Sequence, residues 1–120
     1  MHTSPYTIGV DFGTLSARAV LVDSRDGRMS ASSEWAYAHS VISEALPDGT
    51  ALPPQWALQV PADYLEALCQ TVRGVMAQSG IAAHEVAAIA FDFTSCTVLP
   101  ADKNGTPLCQ LPGGVSNPHA

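Results

Sequence analysis

Two β-strand patterns separated by only five residues constrain the fold of this chain more than any other feature. Residues Tyr6–Asp11 alternate between large apolar and smaller side chains, and Ala17–Asp23 form a second stretch typical of a strand. A parallel connection needs a crossover of a dozen or more residues, which Phe12–Ser16 cannot supply. The spacing therefore predicts an antiparallel hairpin whose tight turn contains Gly13.

The next segments predict a third strand and one helix. Asp26-Gly27 is a strong hairpin signal and leads into a strand over about residues 30–38. Residues 39–60 are rich in proline without a clear period, which indicates an ordered but irregular loop. Pro61 suits the first turn of a helix and Gly80 its end. Its predicted apolar stripe consists of Tyr64, Leu65, Leu68, Val72, Val75 and Met76.

The last third of the chain predicts two more strands. Val86–Asp92 is nearly all apolar, as in a strand buried on both faces, and residues 94–100 form another strand after a break at Phe93. Asn104-Gly105 is a turn, and residues 111–120 predict no element. The result is an α/β fold in the order β-β-β-α-β-β. One helix leaves much of such a sheet uncovered, so we expect the isolated chain to aggregate or dimerise.

Composition limits the classes of partner. The 120 residues are 47% apolar and 13% charged, which fits one small globular domain, with residues 1–5 expected to be disordered. The net charge of −6 and the scattered basic residues argue against nucleic acid and anionic membrane as partners. No apolar run reaches the length of a membrane span, and the first residues lack a signal-peptide pattern. Three cysteines and four histidines are too scattered for a disulfide framework or a zinc site, and the predicted location is the cytoplasm.

The turn of the first hairpin contains a suggestive set of side chains. Asp11 ends a strand with a carboxylate, and Gly13 permits close approach of a ligand to the backbone. Thr14 and Ser16 add hydroxyl groups, and Arg18 adds a cation. Together they suit a magnesium-triphosphate cradle. The alternative is an ordinary hairpin turn with a structural role only.

Two familiar kinase motifs do not explain this turn. Asp-Phe-Gly at positions 11–13 also binds magnesium in protein kinases, but only ten residues precede it here, too few for that fold. The sequence also lacks the G-x-x-x-x-G-K-[ST] pattern of a P-loop.

Four segments resemble a known family. "GVDFGTLSARAVLVD" resembles the phosphate-binding hairpin of the FGGY carbohydrate kinases, which belong to the actin/hexokinase/Hsp70 superfamily. Segments 46–68, 88–109 and 117–120 resemble the ribulokinases of that family in particular. The resemblance implies a partial ribonuclease H-like fold, in which residues 6–120 form the N-terminal part of kinase domain I.

The resemblance also implies an activity and roles for the turn. The reaction would transfer the γ-phosphoryl group of MgATP to the terminal hydroxyl of a ketopentose, converting L-ribulose to L-ribulose 5-phosphate in arabinose catabolism. Asp11 would hold Mg²⁺ directly or through water, Gly13, Thr14 and Ser16 would cradle phosphate, and Arg18 would offset charge. Leu15 could contribute only its backbone N–H.

A second segment would contact the sugar. Residues 92–97 match the stretch that lines the family's sugar pocket, so the resemblance assigns Thr94, Ser95 and Cys96 to the substrate, chiefly through backbone groups. Without the resemblance, these residues would suit a strand end that packs on its neighbours. Trp56 is either a sugar platform or a loop anchor. No sequence neighbour would activate Cys96 as a nucleophile.

Parts of the family's catalytic machinery lie downstream of the matched segments. The resemblance places the catalytic base, the adenine site and the second domain after residue 120, so we expect no catalytic residue here and no useful kinase activity from these residues alone. Three questions stay open: whether the substrate is instead xylulose, glycerol or gluconate, whether the chain is a non-catalytic nucleotide- or sugar-binding module, and whether the parent protein is a homo-oligomer.

Overall fold

A computed structural model describes residues 4–120 as a four-stranded sheet with one long helix. The strands are β1 (Tyr6–Phe12), β2 (Ser16–Asp23), β3 (Arg28–Ala36) and β4 (Val86–Phe93), and the helix is α1 (Pro61–Ser79). The strand order is β3-β2-β1-β4. β2 runs antiparallel to both of its neighbours, β1 and β3, whereas β4 runs parallel to β1. This arrangement confirms the predicted α/β class.

The two predicted hairpins form where the turn residues indicate. Phe12 pairs with Ala17, and the Gly13 N–H donates to the Ser16 carbonyl over 2.9 Å, which closes the first turn. Gly27 has φ of 76°, a left-handed conformation that glycine adopts without steric cost. The third strand starts and ends about two residues earlier than predicted because this turn is short.

The helix packs on one face of the sheet through a stripe of small residues. Its buried side chains are Asp63, Ala67, Thr71 and Val75. The prediction that Leu65 belongs to the buried stripe was wrong, because this residue is 65% exposed. The helix is rotated about its axis so that the smaller side chains, and not Leu65, face the sheet. The core around them consists of Ile8, Val10, Phe12, Ala17, Ala19, Leu21, Ala31, Tyr37, Ala67 and Val75.

The start of α1 is fixed by a buried carboxylate. Asp63 accepts hydrogen bonds from the backbone N–H of His39 (2.9 Å) and pairs with its Nδ1 (2.8 Å). This contact holds the start of the loop that follows β3 against the first turn of the helix. Gly80, with φ of 68°, ends the helix as predicted, and its N–H donates to the Met76 carbonyl.

The prediction for β4 was wrong in its burial. β4 is an edge strand because it is last in the strand order, and its face is left open because the helix lies over β2 and β3. Phe91 is therefore 48% exposed and Phe93 63% exposed, although both face the helix side. The result is a wide apolar groove of about 490 Å³ between β4 and α1.

The predicted fifth strand over residues 94–100 does not form. β4 continues through Phe93, and the chain then turns, with the Thr94 and Thr97 hydroxyls 2.8 Å apart. A hydrogen bond within the segment thus replaces the ladder bonds that a strand would need. The order in the described residues is β-β-β-α-β. The predicted turn at Asn104-Gly105 is present, with φ of 81° at the glycine.

The predicted disorder of residues 1–5 falls partly outside the described residues. Of these five, Ser4 and Pro5 are described: the Ser4 hydroxyl donates to the His84 carbonyl, and the Pro5 carbonyl accepts the Ser24 N–H. The domain boundaries stay a prediction. Within residues 4–120, no helix is long and apolar enough to cross a bilayer.

Candidate functional site

The parallel pairing of β1 and β4 brings the two predicted site segments to one edge of the sheet. Phe12 pairs with Phe93 at the carboxyl ends of both strands. The hairpin turn and the 94–97 segment follow directly from these positions. This edge of a parallel strand pair is where open α/β sheets commonly bind ligands.

A row of charged residues crosses all four strands on the face opposite the helix. Glu34 pairs with Arg18, Arg18 with Asp11, and Asp11 with Asp92 in the sheet register. Asp11 is exposed, and together with Arg18 and Asp92 it lines an open groove of about 380 Å³. An anion or a metal ion therefore has access to the Asp11 carboxylate from this face of the sheet.

Two of the residues predicted to bind phosphate are held by a carboxylate. The Ser16 hydroxyl donates to Glu34 over 2.8 Å, and the Arg18 guanidinium donates to the other oxygen of Glu34 over 3.0 Å. The hydrogen bond from Arg18, followed by that from Ser16 and the charge of Arg18, holds the pKa of Glu34 below its ordinary value. Sequence reasoning missed Glu34, because only the pairing of β2 with β3 places it beside these residues.

The backbone of the turn is oriented by side chains from distant segments. The Tyr37 hydroxyl donates to the Gly13 carbonyl (2.8 Å), and the Gln59 amide donates to the Thr14 carbonyl (2.7 Å). In a trans peptide the N–H points opposite to the carbonyl, so the N–H groups of Thr14 and Leu15 point away from these donors. Both residues are exposed. Two successive outward N–H groups form the kind of concavity that binds an anion.

Tyr37 supports the turn from within the core. It is 4% exposed, and its backbone N–H donates to the Leu15 carbonyl in addition to the hydroxyl contact. Burial raises the pKa of Tyr37 to about 12, with smaller contributions from Tyr64, Asp11 and Asp63. The hydroxyl is therefore protonated at neutral pH and available as a donor.

The second predicted segment lies beside the turn and is joined to it by Gln59. The Thr97 hydroxyl donates to Gln59 Oε1 over 3.3 Å and lies 2.8 Å from the Thr94 hydroxyl. The Ser95 hydroxyl is 3.7 Å from the sulfur of Cys96, which is exposed. The assignment of Thr94, Ser95 and Cys96 to a sugar stays a prediction.

The structure also gives the surroundings of Trp56, whose role the sequence left open, and of Asp92, which the sequence analysis did not single out. Trp56 packs edge-on against His119, with ring centroids 5.0 Å apart, which favours the loop-anchor alternative. Asp92 is the register partner of Asp11, and its Oδ1 accepts the Phe93 N–H. The repeated Asp-Phe pair at positions 11–12 and 92–93 was the signal that could have found it.

The carboxylates at this groove suit a Mg²⁺ ion that takes most of its ligands from water and phosphate. Mg²⁺ usually binds one or two carboxylates and completes its shell with water and phosphate oxygens. Asp11 offers an exposed carboxylate at the groove, with Asp92 as its neighbour in register. Within residues 4–120, no three His, Cys, Asp or Glu side chains are grouped to form a metal cage. A metal at this site would therefore depend on a phosphate ligand.

Comparison with known proteins gives a consistent result. Residues 6–111 match the model of the FGGY family of carbohydrate kinases, N-terminal domain. The chain is 50% identical over 116 residues to a ribulokinase of Shouchella clausii, and 48% identical over 119 residues to one of Halalkalibacterium halodurans. It is 47% identical over 117 residues to a ribulokinase of Mycolicibacterium smegmatis. These alignments cover 96%, 98% and 96% of the chain but 21% of each relative, so the chain spans about a fifth of their length.

Proposed function

The chain belongs to the FGGY family of carbohydrate kinases, and on that premise we propose that it is the N-terminal part of domain I of an ATP-dependent ribulokinase. The proposed reaction phosphorylates the terminal hydroxyl of L-ribulose. The observation that supports it most is the level of identity, 47–50%, to three proteins named ribulokinase over almost the whole chain. In this proposal the remaining catalytic parts, including the base, lie outside these residues.

The hairpin turn is the proposed phosphate site. The outward N–H groups of Thr14 and Leu15 would donate to phosphate oxygens, and Gly13 leaves room for their approach. Ser16 and Arg18 would exchange their bonds to Glu34 for bonds to phosphate. The turn needs little reorganisation for this role because the carbonyls of Gly13 and Thr14 are already tied back by hydrogen bonds.

Asp11 is the proposed Mg²⁺ residue, directly or through water. When bound, Mg²⁺ supplies charge neutralisation to the phosphates of ATP. The Asp11 carboxylate would fix the position of the metal-nucleotide complex relative to the turn. Thr94, Ser95 and Cys96 would hold the sugar beside it, since they follow the strand that pairs with β1.

The proposal is tested by assaying the full-length protein with ATP, Mg²⁺ and a panel of L-ribulose, D-xylulose, glycerol and gluconate. We expect L-ribulose to have the highest kcat/KM. Asp11→Asn should lower kcat/KM by about a hundredfold or more, as loss of a preorganised electrostatic group does. Asp26→Asn is the matched control, because Asp26 is an exposed aspartate in the other hairpin turn.

Two results would contradict the proposal. A preference for another sugar would assign the chain to a different carbohydrate kinase, and wild-type activity in Asp11→Asn would remove the turn from the site. Turnover by the 120 residues alone, at a normal enzymatic rate, would disprove the statement that the base lies elsewhere.

A further inference from the structure

Gln59 makes hydrogen bonds to both predicted ligand segments. Its side-chain amide donates to the Thr14 carbonyl in the hairpin turn over 2.7 Å, and its Oε1 accepts the Thr97 hydroxyl over 3.3 Å. Oε1 also accepts the Tyr64 hydroxyl. Gln59 is half-buried, whereas Thr14 and Thr97 are exposed, so the side chain lies at the surface between the two segments.

The chemistry of the partners fixes the direction of every bond in this chain. The Thr14 carbonyl can only accept, so the NH₂ group of Gln59 must face it and Oε1 must face Thr97. Oε1 can only accept, so the single hydroxyl proton of Thr97 is directed to Gln59. The Thr94 hydroxyl, 2.8 Å from Thr97, must then donate to it. Donation therefore runs from Thr94 through Thr97 and Gln59 to Thr14.

Such a directed series of hydrogen bonds is cooperative, because each bond polarises the next. We propose that Gln59 is a positioning residue that couples sugar binding at Thr94 to MgATP binding at the turn. The proposal rests on the proposed function. Because the Thr94 proton is committed to Thr97, the Thr94 oxygen can only accept from a ligand, so the sugar presents a hydroxyl there and not its carbonyl oxygen. When Thr94 accepts the hydroxyl proton of the sugar, every hydrogen bond from Thr94 to the Thr14 carbonyl is strengthened. The Thr14 carbonyl is then held more firmly, and the Leu15 N–H of the same peptide stays directed at phosphate.

The test measures how much L-ribulose changes the Kd of a non-hydrolysable MgATP analogue for the full-length protein. In the wild type we expect L-ribulose to lower this Kd by about fivefold or more, the low end of typical coupling between sites. Gln59→Glu retains the acceptors for Tyr64 and Thr97 but cannot donate to Thr14, so the ratio of the two Kd values should fall to about one. The ratio separates coupling from the added charge, because that charge is present with and without the sugar.

A second pair of variants acts from the other end of the series. Thr97→Val removes the donor to Gln59 and should also reduce the ratio to about one, whereas Thr97→Ser restores the hydroxyl and should restore the ratio. Thr97 is exposed, so these changes test the proposal even where Gln59→Glu fails to fold. Gln55→Glu is the matched control: Gln55 is exposed on the same loop, and the variant adds the same charge.

Each outcome decides between the two proposals. If both ligands bind but Gln59→Glu and Thr97→Val retain the wild-type ratio, the coupling role is wrong and the proposed function stands. The same conclusion follows if the wild-type ratio is already about one, or if Gln55→Glu lowers it equally. If neither L-ribulose nor the nucleotide binds the wild-type protein, the proposed function is wrong, and the coupling role, which rests on it, is wrong as well.

Discussion

Gly74 is the position where the packing of the helix on the sheet gives the sharpest prediction. A Cβ atom built on Gly74 would lie 2.1 Å from the Ser33 Oγ and 2.7 Å from the Ser33 Cβ. The hydroxyl can rotate away, but the Cβ of Ser33 is fixed to the backbone of β3. Gly74→Ala therefore forces α1 away from the sheet whatever rotamer Ser33 adopts.

Two opposing effects set the magnitude. Overpacking a well-packed contact costs about 1–3 kcal/mol, and an overlap of this depth with a fixed atom belongs near 3 kcal/mol. Alanine is favoured over glycine inside a helix by about 1 kcal/mol. The expected net loss is about 2 kcal/mol in the free energy of unfolding, which lowers Tm by about 8 °C for a domain of this size.

Removal of the opposing side chain should reverse the sign. In a Ser33→Gly background the overlap is gone, so Gly74→Ala should stabilise the chain by about 1 kcal/mol and raise Tm by about 4 °C. The assay is a double-mutant cycle by thermal and urea unfolding, with an expected coupling energy near 3 kcal/mol. An unchanged or raised stability of Gly74→Ala in the wild-type background would refute this account of the packing, as would the same loss in both backgrounds.

Two further predictions concern the site. Glu34→Gln should lower the Kd of MgATP by about two- to fivefold in the full-length protein, because the substitution weakens the hydrogen bonds through which Glu34 competes with phosphate for Ser16 and Arg18. Equal or weaker binding of MgATP would contradict the phosphate role of these two residues. The pKa of Tyr37 is raised to about 12 in the folded protein, against about 10 in the unfolded chain. The protonated hydroxyl therefore makes its full contribution to the free energy of unfolding below about pH 10, and this contribution is lost as the pH rises toward 12. Urea unfolding from pH 9 to 11.5 should show this decline, by about 2 kcal/mol at its end, and Tyr37→Phe should reduce it. An equal decline in Tyr37→Phe would show that another group titrates.

The candidate site was predicted in part from local pattern. The Asp11–Arg18 hairpin is determined by alternation and by the small number of residues between two strands, so the turn and its exposed Asp11 were predictable. Glu34 was not, because it lies 16 residues from Arg18 and meets it only through the register of β2 with β3. Gln59 is 45 residues from Thr14 and lies in an irregular loop, where no period indicates which way a side chain points.

The strands near the carboxyl end show the same division. The apolar run Val86–Asp92 predicted a strand correctly, but apolar composition cannot distinguish a central strand from an edge strand. Only the position of α1 over β2 and β3 decided that β4 is open on one side. Residues 94–100 were predicted as a strand on composition, and the side-chain hydrogen bond between Thr94 and Thr97 favoured a turn instead.

The amino-acid sequence by itself determined the four strands and the helix that form, the two hairpin turns, the ends of α1 and the family, since each depends on short-range backbone preferences or on contiguous motifs. The tertiary structure alone decided which distant side chains hold the turn, which face of α1 is buried and which carboxylate engages Arg18. These features depend on strand register and on the rotation of the helix about its axis, and both are set by packing between residues that are far apart along the chain.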